Sequence, residues 1–400
     1  MNILYVTMDG FDTASPNNQM AEQMIDWFLE DGHFVHLIQS KRTGNYPTLP
    51  PNLCDRDHLT CDTIQRPVVD KKNFVNRYLE EAQYAFRLIG FARKHRDCDV
   101  IFVQSCPTVF LQEILLKIFI DKPIVYNIYD VWPGQAKSLG INPLIYKGME
   151  LLQRIAYRLS SEVMVLSDDM ALACEKAGCD GAKISVIPPW FDDRRTYDIP
   201  WHENRFVKKY DLSDEPFYVQ FAGSIGLQFD YRTMFEVASI LASEENIVIQ
   251  IVGDGIVKQP FVDMVDNAGL KNVIFLPLQP IDLVPDVYSA SDICLIPLRK
   301  EVIRTGTPSK MPILLACGKV IVSSVEKDSA YAAMVERENI GVCVDIGDAE
   351  ELAATILALY NNKAQFNEIK ARGLAYAHAN LSREVCASKV LDLLKTAATE

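Results

Sequence analysis

"TGTPSKMPILLACGKVIVSS", residues 305–324, sets a tight loop, a short helix and a buried strand in a row. Ser309 stands where it can cap the helix, and Pro312 falls in the first turn, where a missing N–H costs little. Leu314, Leu315 and Ala316 are apolar, Gly318 ends the helix, and the β-branched run Val320–Val322 opens a strand. Lys310 is the odd member of so apolar a unit. A helix N-terminus leaves N–H groups unpaired and favours anions, so a cation there repels the dipole unless an anion sits between them.

The same alternation runs outward in both directions. Strand-like runs at 217–224 ("FYVQFAGS"), 246–255 ("NIVIQIVGDG"), 272–278 ("NVIFLPL"), 292–298 ("DICLIPL"), 319–324 and 341–346 are separated by helical sequence. Nearer the N-terminus, "MNILYVTMDG", "FVHLIQS", "DVIFVQS" (99–105), "PIVYNIYD" (123–130) and "EVMVLS" (162–167) form an earlier series. Residues 41–70, rich in Pro, Asn and Asp, read as an irregular excursion, and a Pro-rich polar stretch runs from Pro188 to Glu215. Strand–helix alternation implies parallel sheets covered on both faces. The expectation is α/β, with two doubly wound domains at 1–200 and 201–377 and a closing C-terminal helix at 378–400 that can cross back to the first domain. The functional cleft would then lie between the domains, at the carboxyl ends of the strands.

The totals fit an ordinary globular protein: 400 residues, 49% hydrophobic and 23% charged. No run of about 18 uncharged apolar residues suggests a membrane span, and the first strand begins at Asn2 without the basic segment of a signal peptide. Ten cysteines are scattered without a CxxC pair, a reducing, cytoplasmic pattern that indicates neither a disulfide framework nor zinc. The net charge of −13 argues against nucleic acid as a partner. Within this acidic chain, residues 71–96 hold seven basic residues against two acidic ones. Arg87, Arg93 and Lys94, interleaved with aromatic residues, suggest an amphipathic helix that rests on an anionic membrane surface or else packs on its own sheet.

Two turns suit phosphate. "FAGSIG" (221–226) runs a strand into Gly223, Ser224 and Gly226 before a helix whose N-terminus can offer N–H groups. "VGDG" brings Gly253 and Asp254 to the end of the next strand. Neither is a dinucleotide fingerprint, since the third glycine and the acidic residue on the next strand are missing. In "NIYDVWPGQAKSLG" (127–140), Asp130 stands at a strand's carboxyl end as a cleft carboxylate or a helix cap, and Trp132 offers a flat face for a sugar. The triplets Asp55/Asp57 and Asp97/Asp99 are what an acidic chain produces by chance, so no metal site is assigned.

Taken in order, "YDVWPGQAKSLG", "RIAYRLSSEVMVLSDDMALACEKAG", "ISVIPPWFDD", "FAGSIG", "IVGDG", "FLPLQP…LVPDVYSASDICLIPL" and "TPSKMPILLACGKVIVSS" resemble glycosyltransferase family four, of GT-B fold, in its capsule, O-antigen and colanic-acid branch. The resemblance implies metal-independent transfer, with retention, of a sugar from a nucleotide diphosphate donor, most simply a UDP-sugar. That donor would be a co-substrate, with no cofactor. The donor side would comprise Gly223, Ser224, Gly226, Gly253, Asp254, Thr305, Ser309 and Lys310, with Leu278, Gln279 and Pro280 lining the base. Lys310 would balance the charge of the leaving diphosphate, and Asp130 would meet the acceptor hydroxyl. Gly10, Ser105 and Trp132 would face the acceptor, a lipid-linked or oligosaccharide chain at the inner face of the cell membrane. Thr305 and Ile313 replace two glutamates common in the family, Asp9-Gly10-Phe11 replaces a double-glycine turn, and Gly223-Ser224 and Pro189 replace other usual residues. These departures leave open a non-catalytic partner subunit or a nucleotide-sugar epimerase of the same fold.

Overall fold

The computed structural model describes residues 1–11, 16–42, 49–67, 74–133 and 142–399. Gly134–Gly140 of the Asp130 segment, and Lys71 and Lys72 of the basic stretch, lie outside the described residues. The first series of elements runs β1 (Asn2–Val6), α1 (Pro16–Glu30), β2 (Phe34–Arg42), β3 (Leu59–Arg66), α2 (Phe74–Ala92), β4 (Val100–Gln104), α3 (Val109–Phe119), β5 (Ile124–Ile128), α4 (Pro143–Leu159), β6 (Glu162–Val165), α5 (Asp168–Lys176) and β7 (Ile184–Val186). The second opens with α6 (Arg205–Tyr210), β8 (Phe217–Ser224), α7 (Tyr231–Ile240), β9 (Ile247–Asp254), α8 (Lys258–Asn267), β10 (Val273–Leu276), α9 (Val284–Ser289) and β11 (Ile293–Pro297). It closes with α10 (Val302–Thr305), α11 (Met311–Ala316), β12 (Val320–Ser324), α12 (Ala330–Glu338), β13 (Gly341–Val344), α13 (Ala349–Asn361), α14 (Lys363–Asn380) and α15 (Arg383–Thr399).

Two compact units result. One is Met1–Pro188 with Thr305–Thr307 and Cys386–Glu400; the other is Pro189–Arg304 with Pro308–Val385. The first holds a seven-stranded sheet ordered β3-β2-β1-β4-β5-β6-β7, the second a six-stranded sheet ordered β10-β9-β8-β11-β12-β13. The strand pairings are parallel throughout both sheets. Each order reverses beside its first strand (β1 in one sheet, β8 in the other), which is the doubly wound pattern.

Continuous apolar runs make these strands because both faces of each sheet are covered. In the second unit, Val219, Phe221, Ile249, Ile251, Val320 and Val322 enter one core, while Ala222, Val252, Cys294, Ile296 and Ile321 enter the core on the opposite face. Gln220 and Gln250, fully buried on neighbouring strands, are joined by a 2.9 Å hydrogen bond from the Gln220 amide N–H to the Gln250 side-chain oxygen, and the Gln220 amide also donates to the Val287 carbonyl (2.8 Å).

Two expectations need correcting. The stretch 41–70 is not irregular throughout: β2 continues to Arg42, and β3 pairs with it over eight residues. LTCDTIQR escapes notice because it is an edge strand with a largely polar composition. The helix after Thr307-Pro308-Ser309 begins at Met311 with Lys310 at its N-cap and no side-chain cap, so Ser309 does not cap it. Gly318, at φ +64°, does end it, its N–H bonding to the Leu315 carbonyl.

The basic stretch folds onto its own unit. Tyr84 and Leu88 are buried, the Tyr84 hydroxyl donates to the Thr7 carbonyl (2.8 Å), and Arg66 of β3 forms a buried pair with Glu80 of α2. Arg87 reaches the Gln65 carbonyl at 3.0 Å. The Arg93 guanidinium lies 4.6 Å from the Phe119 ring centre. Lys94 sits 4.7 Å from the Phe91 ring and 3.4 Å from Asp62.

Candidate functional site

The carboxyl edge of the second sheet collects the loops the sequence singled out. β8 ends at Gly223-Ser224, β9 at Gly253-Asp254, and β10 leads into Pro277–Pro280. Gly223 and Gly253 are register partners on adjacent strands, and both take positive φ, +146° and +152°. A Cβ on Gly253 would come within 1.9 Å of the Gly223 carbonyl oxygen, and one on Gly255 within 2.3 Å of the Ile225 carbonyl. Backbone therefore packs on backbone here, with no room for any other residue.

Lys310 lies at the centre of this edge. Its ammonium donates to the Ala222 carbonyl at 2.9 Å and stands 4.0 Å from the centre of the Phe221 ring. A Cβ on Gly223 would be 2.9 Å from the same nitrogen. The side chain is partly buried, and desolvation of its charged end pushes the pKa down to about 8. Among the described residues, its ammonium donates to a carbonyl and no carboxylate pairs with it. A cation held at low solvation beside an exposed turn, without a counter-charge, suits an anionic ligand.

The other expected donor residues divide. Ser224 is exposed and Gly226 half-buried beside it, with the Ser224 Oγ 3.3 Å from where a Gly226 Cβ would lie. The helix expected to offer N–H groups here does not: α7 starts five residues beyond Gly226, and Asp230 caps it by accepting from the Thr233 N–H and hydroxyl. Asp254 turns back to accept from the Gly255 N–H (2.8 Å), and Lys258 clamps the Gly253 carbonyl (2.8 Å). Leu278 and Pro280 are exposed. Gln279 is held between Tyr210 and Lys209, donating to the Tyr210 hydroxyl at 2.7 Å and accepting from the Lys209 ammonium at 2.9 Å. Ser309 is half-buried beside Lys310. Thr305 groups with the first unit, where its carbonyl accepts the Val131 N–H at 3.1 Å. Ile313, where a family glutamate would stand, packs on the apolar core instead.

Sequence reasoning missed the Ala222 carbonyl, the Phe221 ring and Lys258. Phe221 opens the quoted "FAGSIG" and Lys258 follows "VGDG" by three residues, so their proximity was visible but their contacts were not.

In the first unit, β1, β4 and β5 lie side by side, and their carboxyl ends carry Gly10, Ser105 and Asp130-Trp132. Gly10 is buried and its carbonyl accepts from Asn18 at 2.9 Å. Ser105 is a tie: its N–H donates to the Asn127 carbonyl (2.8 Å) and its Oγ accepts the Tyr129 N–H (2.9 Å). This bond fixes the strand end from which Asp130 projects. Asp130 and Trp132 are half-buried.

Known proteins place this architecture. A family model described as Glycosyltransferase Family 4 matches residues 18–195, and one described as Glycosyl transferases group 1 matches residues 217–362. Among curated proteins, two provisionally named relatives match. The colanic acid biosynthesis glycosyl transferase WcaI of Escherichia coli (strain K12) is 26% identical over 48% of this chain and 48% of its own length. The glycosyltransferase WbjE of Pseudomonas aeruginosa is 20% identical over 72% of this chain and 73% of its own. The match thus spans about half the length of WcaI. Among solved structures, HepE of Anabaena in complex with UDP superposes with a TM-score of 0.75 at 17% identity, covering 99% of this chain and 100% of that one. WaaG, a glycosyltransferase involved in lipopolysaccharide biosynthesis, does so at 0.71 and 16%, covering 98% and 99%. The order of the two domains along the chain, the paired doubly wound sheets and these matches agree: the chain belongs to glycosyltransferase family four and has the GT-B fold.

Proposed function

We propose that the protein is a retaining glycosyltransferase that moves a sugar from a nucleotide diphosphate donor, a UDP-sugar, to a lipid-linked or oligosaccharide acceptor of bacterial surface polysaccharide. The observation that carries this is the partly buried Lys310 ammonium beside Gly223, a cation without a carboxylate partner among the described residues, on a glycine-lined edge. HepE has been crystallised with UDP, with UDP and glucose, and with UDP-glucose, which supports a uridine nucleotide as donor. The colanic acid and lipopolysaccharide names of relatives support a surface-polysaccharide acceptor. Work at a lipid-linked acceptor places the protein on the cytoplasmic face of the membrane.

In this reading the diphosphate lies against residues 223–226 and the Lys310 ammonium, with the base towards Leu278-Gln279-Pro280. As the glycosidic bond breaks, negative charge grows on the departing phosphate, and Lys310 stabilises it without a metal ion. Asp130 orients the acceptor hydroxyl, whose proton passes to the leaving phosphate oxygen. Retention follows when the acceptor approaches from the face that the donor phosphate leaves.

Calorimetry with UDP tests the donor half. Lys310→Ala should weaken binding by about 1.5–3 kcal/mol, the scale of a charge-assisted hydrogen bond. Unchanged affinity would remove Lys310 from the site. Incubation with UDP-sugars separates the alternatives. Donor conversion without acceptor would mark an epimerase, and binding with no turnover against any acceptor a partner subunit.

A further inference from the structure

A second lysine stands on the carboxyl edge of the second sheet. Lys258 is the first residue of α8, and its ammonium donates to the Gly253 carbonyl at 2.8 Å. Gly253 is the register partner of Gly223, the glycine beside Lys310. The two lysines are held in the same way: Lys310 on the Ala222 carbonyl near the end of β8, Lys258 on the Gly253 carbonyl near the end of β9. An ammonium carries three N–H donors, so a carbonyl takes one and two remain. Lys258 is half-buried, and among the described residues no carboxylate pairs with it. The carboxylate of the same turn, Asp254, folds back onto the Gly255 N–H at 2.8 Å. The first turn of α8 holds no acidic residue. A cation at the start of a helix opposes the helix dipole, so α8 begins with a charge that its own surroundings do not balance.

Position along the sheet selects the ligand part. The strands run β10-β9-β8 along this edge, about 4.8 Å apart. With the base towards Leu278-Gln279-Pro280 after β10 and the diphosphate against 223–226 after β8, the end of β9 lies under the link between them. That link is the ribose and the phosphate attached to it. We infer that Lys258 binds the inner phosphate of the donor, the one joined to the nucleoside, and this rests on the donor reading above. Lys310 then serves the outer phosphate, which carries the sugar. Charge grows on the outer phosphate as the glycosidic bond breaks, and the inner one changes little. Lys258 therefore holds donor and departing nucleotide alike, and contributes to binding rather than to the chemical step.

Calorimetry of the full chain with UDP, UMP and uridine tests the assignment, with the weaker ligands titrated by displacement of UDP. UMP keeps the inner phosphate and lacks the outer one, and uridine lacks both. Lys258→Met should weaken UDP and UMP alike, by about tenfold or more, the scale of one charge-assisted hydrogen bond, and leave uridine within about twofold. Lys310→Met should weaken UDP by a similar factor and leave UMP within about twofold. Lys258→Gln keeps an N–H for the Gly253 carbonyl but no charge, and should lose UMP as the methionine variant does. The melting temperature of each variant without ligand reports its folding. UMP affinity within about twofold of wild type in Lys258→Met overturns the inference. So does wild-type UMP affinity in Lys258→Gln, which would make Lys258 a peg for the Gly253 turn. So does an equal loss for uridine in a folded variant, which would move the contact to the ribose. A wild type that binds none of the three ligands sinks the donor reading itself, whereas UDP binding indifferent to Lys258 overturns this inference alone.

Discussion

The two carboxyl edges are built from different materials. In the second unit the edge is backbone: Gly223, Gly253 and Gly255 let strand ends touch, and one ammonium is set among carbonyls and a ring. In the first unit the edge is tied by side chains: Asn18 holds Gly10, Ser105 holds Tyr129, and Ser40 and Arg66 both hold the Met8 carbonyl. Backbone presents the same groups whatever the side chains are, which suits a diphosphate, a ligand part that does not vary with the sugar. Side-chain ties can be exchanged without moving a strand, which suits an acceptor that differs between pathways.

The sharpest way to break this contrast is at the paired glycines. Gly253→Ala sets a Cβ against the Gly223 carbonyl at an unfavourable φ, so the edge must part. Urea unfolding should show a loss of about 3 kcal/mol or more. Gly32, also at positive φ but with open space around its missing Cβ, should cost only about 1 kcal/mol when changed to alanine. Equal losses at the two positions would mean that backbone conformation, and not the close approach, makes glycine necessary at 253.

On the first unit's edge the expected effect is kinetic. Asp130→Asn should cut transfer by about 10²-fold if the carboxylate assists the acceptor hydroxyl, while UDP affinity stays within error. Transfer rates within a few-fold of wild type would return Asp130 to a structural role at the end of β5.

How much of this was legible beforehand follows the same division. Strands of the second unit are readable to within two residues at either end, as at Phe217–Ser224 and Val320–Ser324, because burial writes them as apolar runs. β3 was hidden because an edge strand can be polar, as Leu59–Arg66 is. Gly223 and Lys310 could be paired through the family's pattern, yet the Ala222 carbonyl that receives the ammonium is a tertiary fact carried by no local spacing. In residues 74–96 the amphipathic pattern was plain. Which cations would turn back onto Phe119, Phe91 and Asp62 was not, since those partners lie on other turns and elements.

The smallest expected effect concerns the proton on Lys310. Burial lowers its pKa from 10.5 to about 8 in the free protein, so the folded state disfavours the charged form. The sign for stability follows. The contribution is present above 10.5, where lysine is neutral in both states, and is lost as pH falls through about 8, where the folded protein must take up the proton. An anionic diphosphate reverses the bias by favouring the ammonium, so binding should draw in a proton. At pH 8 the uptake should approach roughly half a proton per UDP, read from calorimetry in buffers of differing ionisation enthalpy. UDP should bind about twofold more weakly at pH 8 than at pH 7, and about fivefold more weakly again at pH 9, a range in which the phosphate's own ionisation (pKa about 6) is complete. Lys310→Met should abolish both the uptake and the slope. A wild-type protein that binds UDP without proton uptake at pH 8 would mean that the ammonium is already charged in the free protein. The second unit's edge would then be set by its carbonyls and glycines, with the lysine as a solvated neighbour.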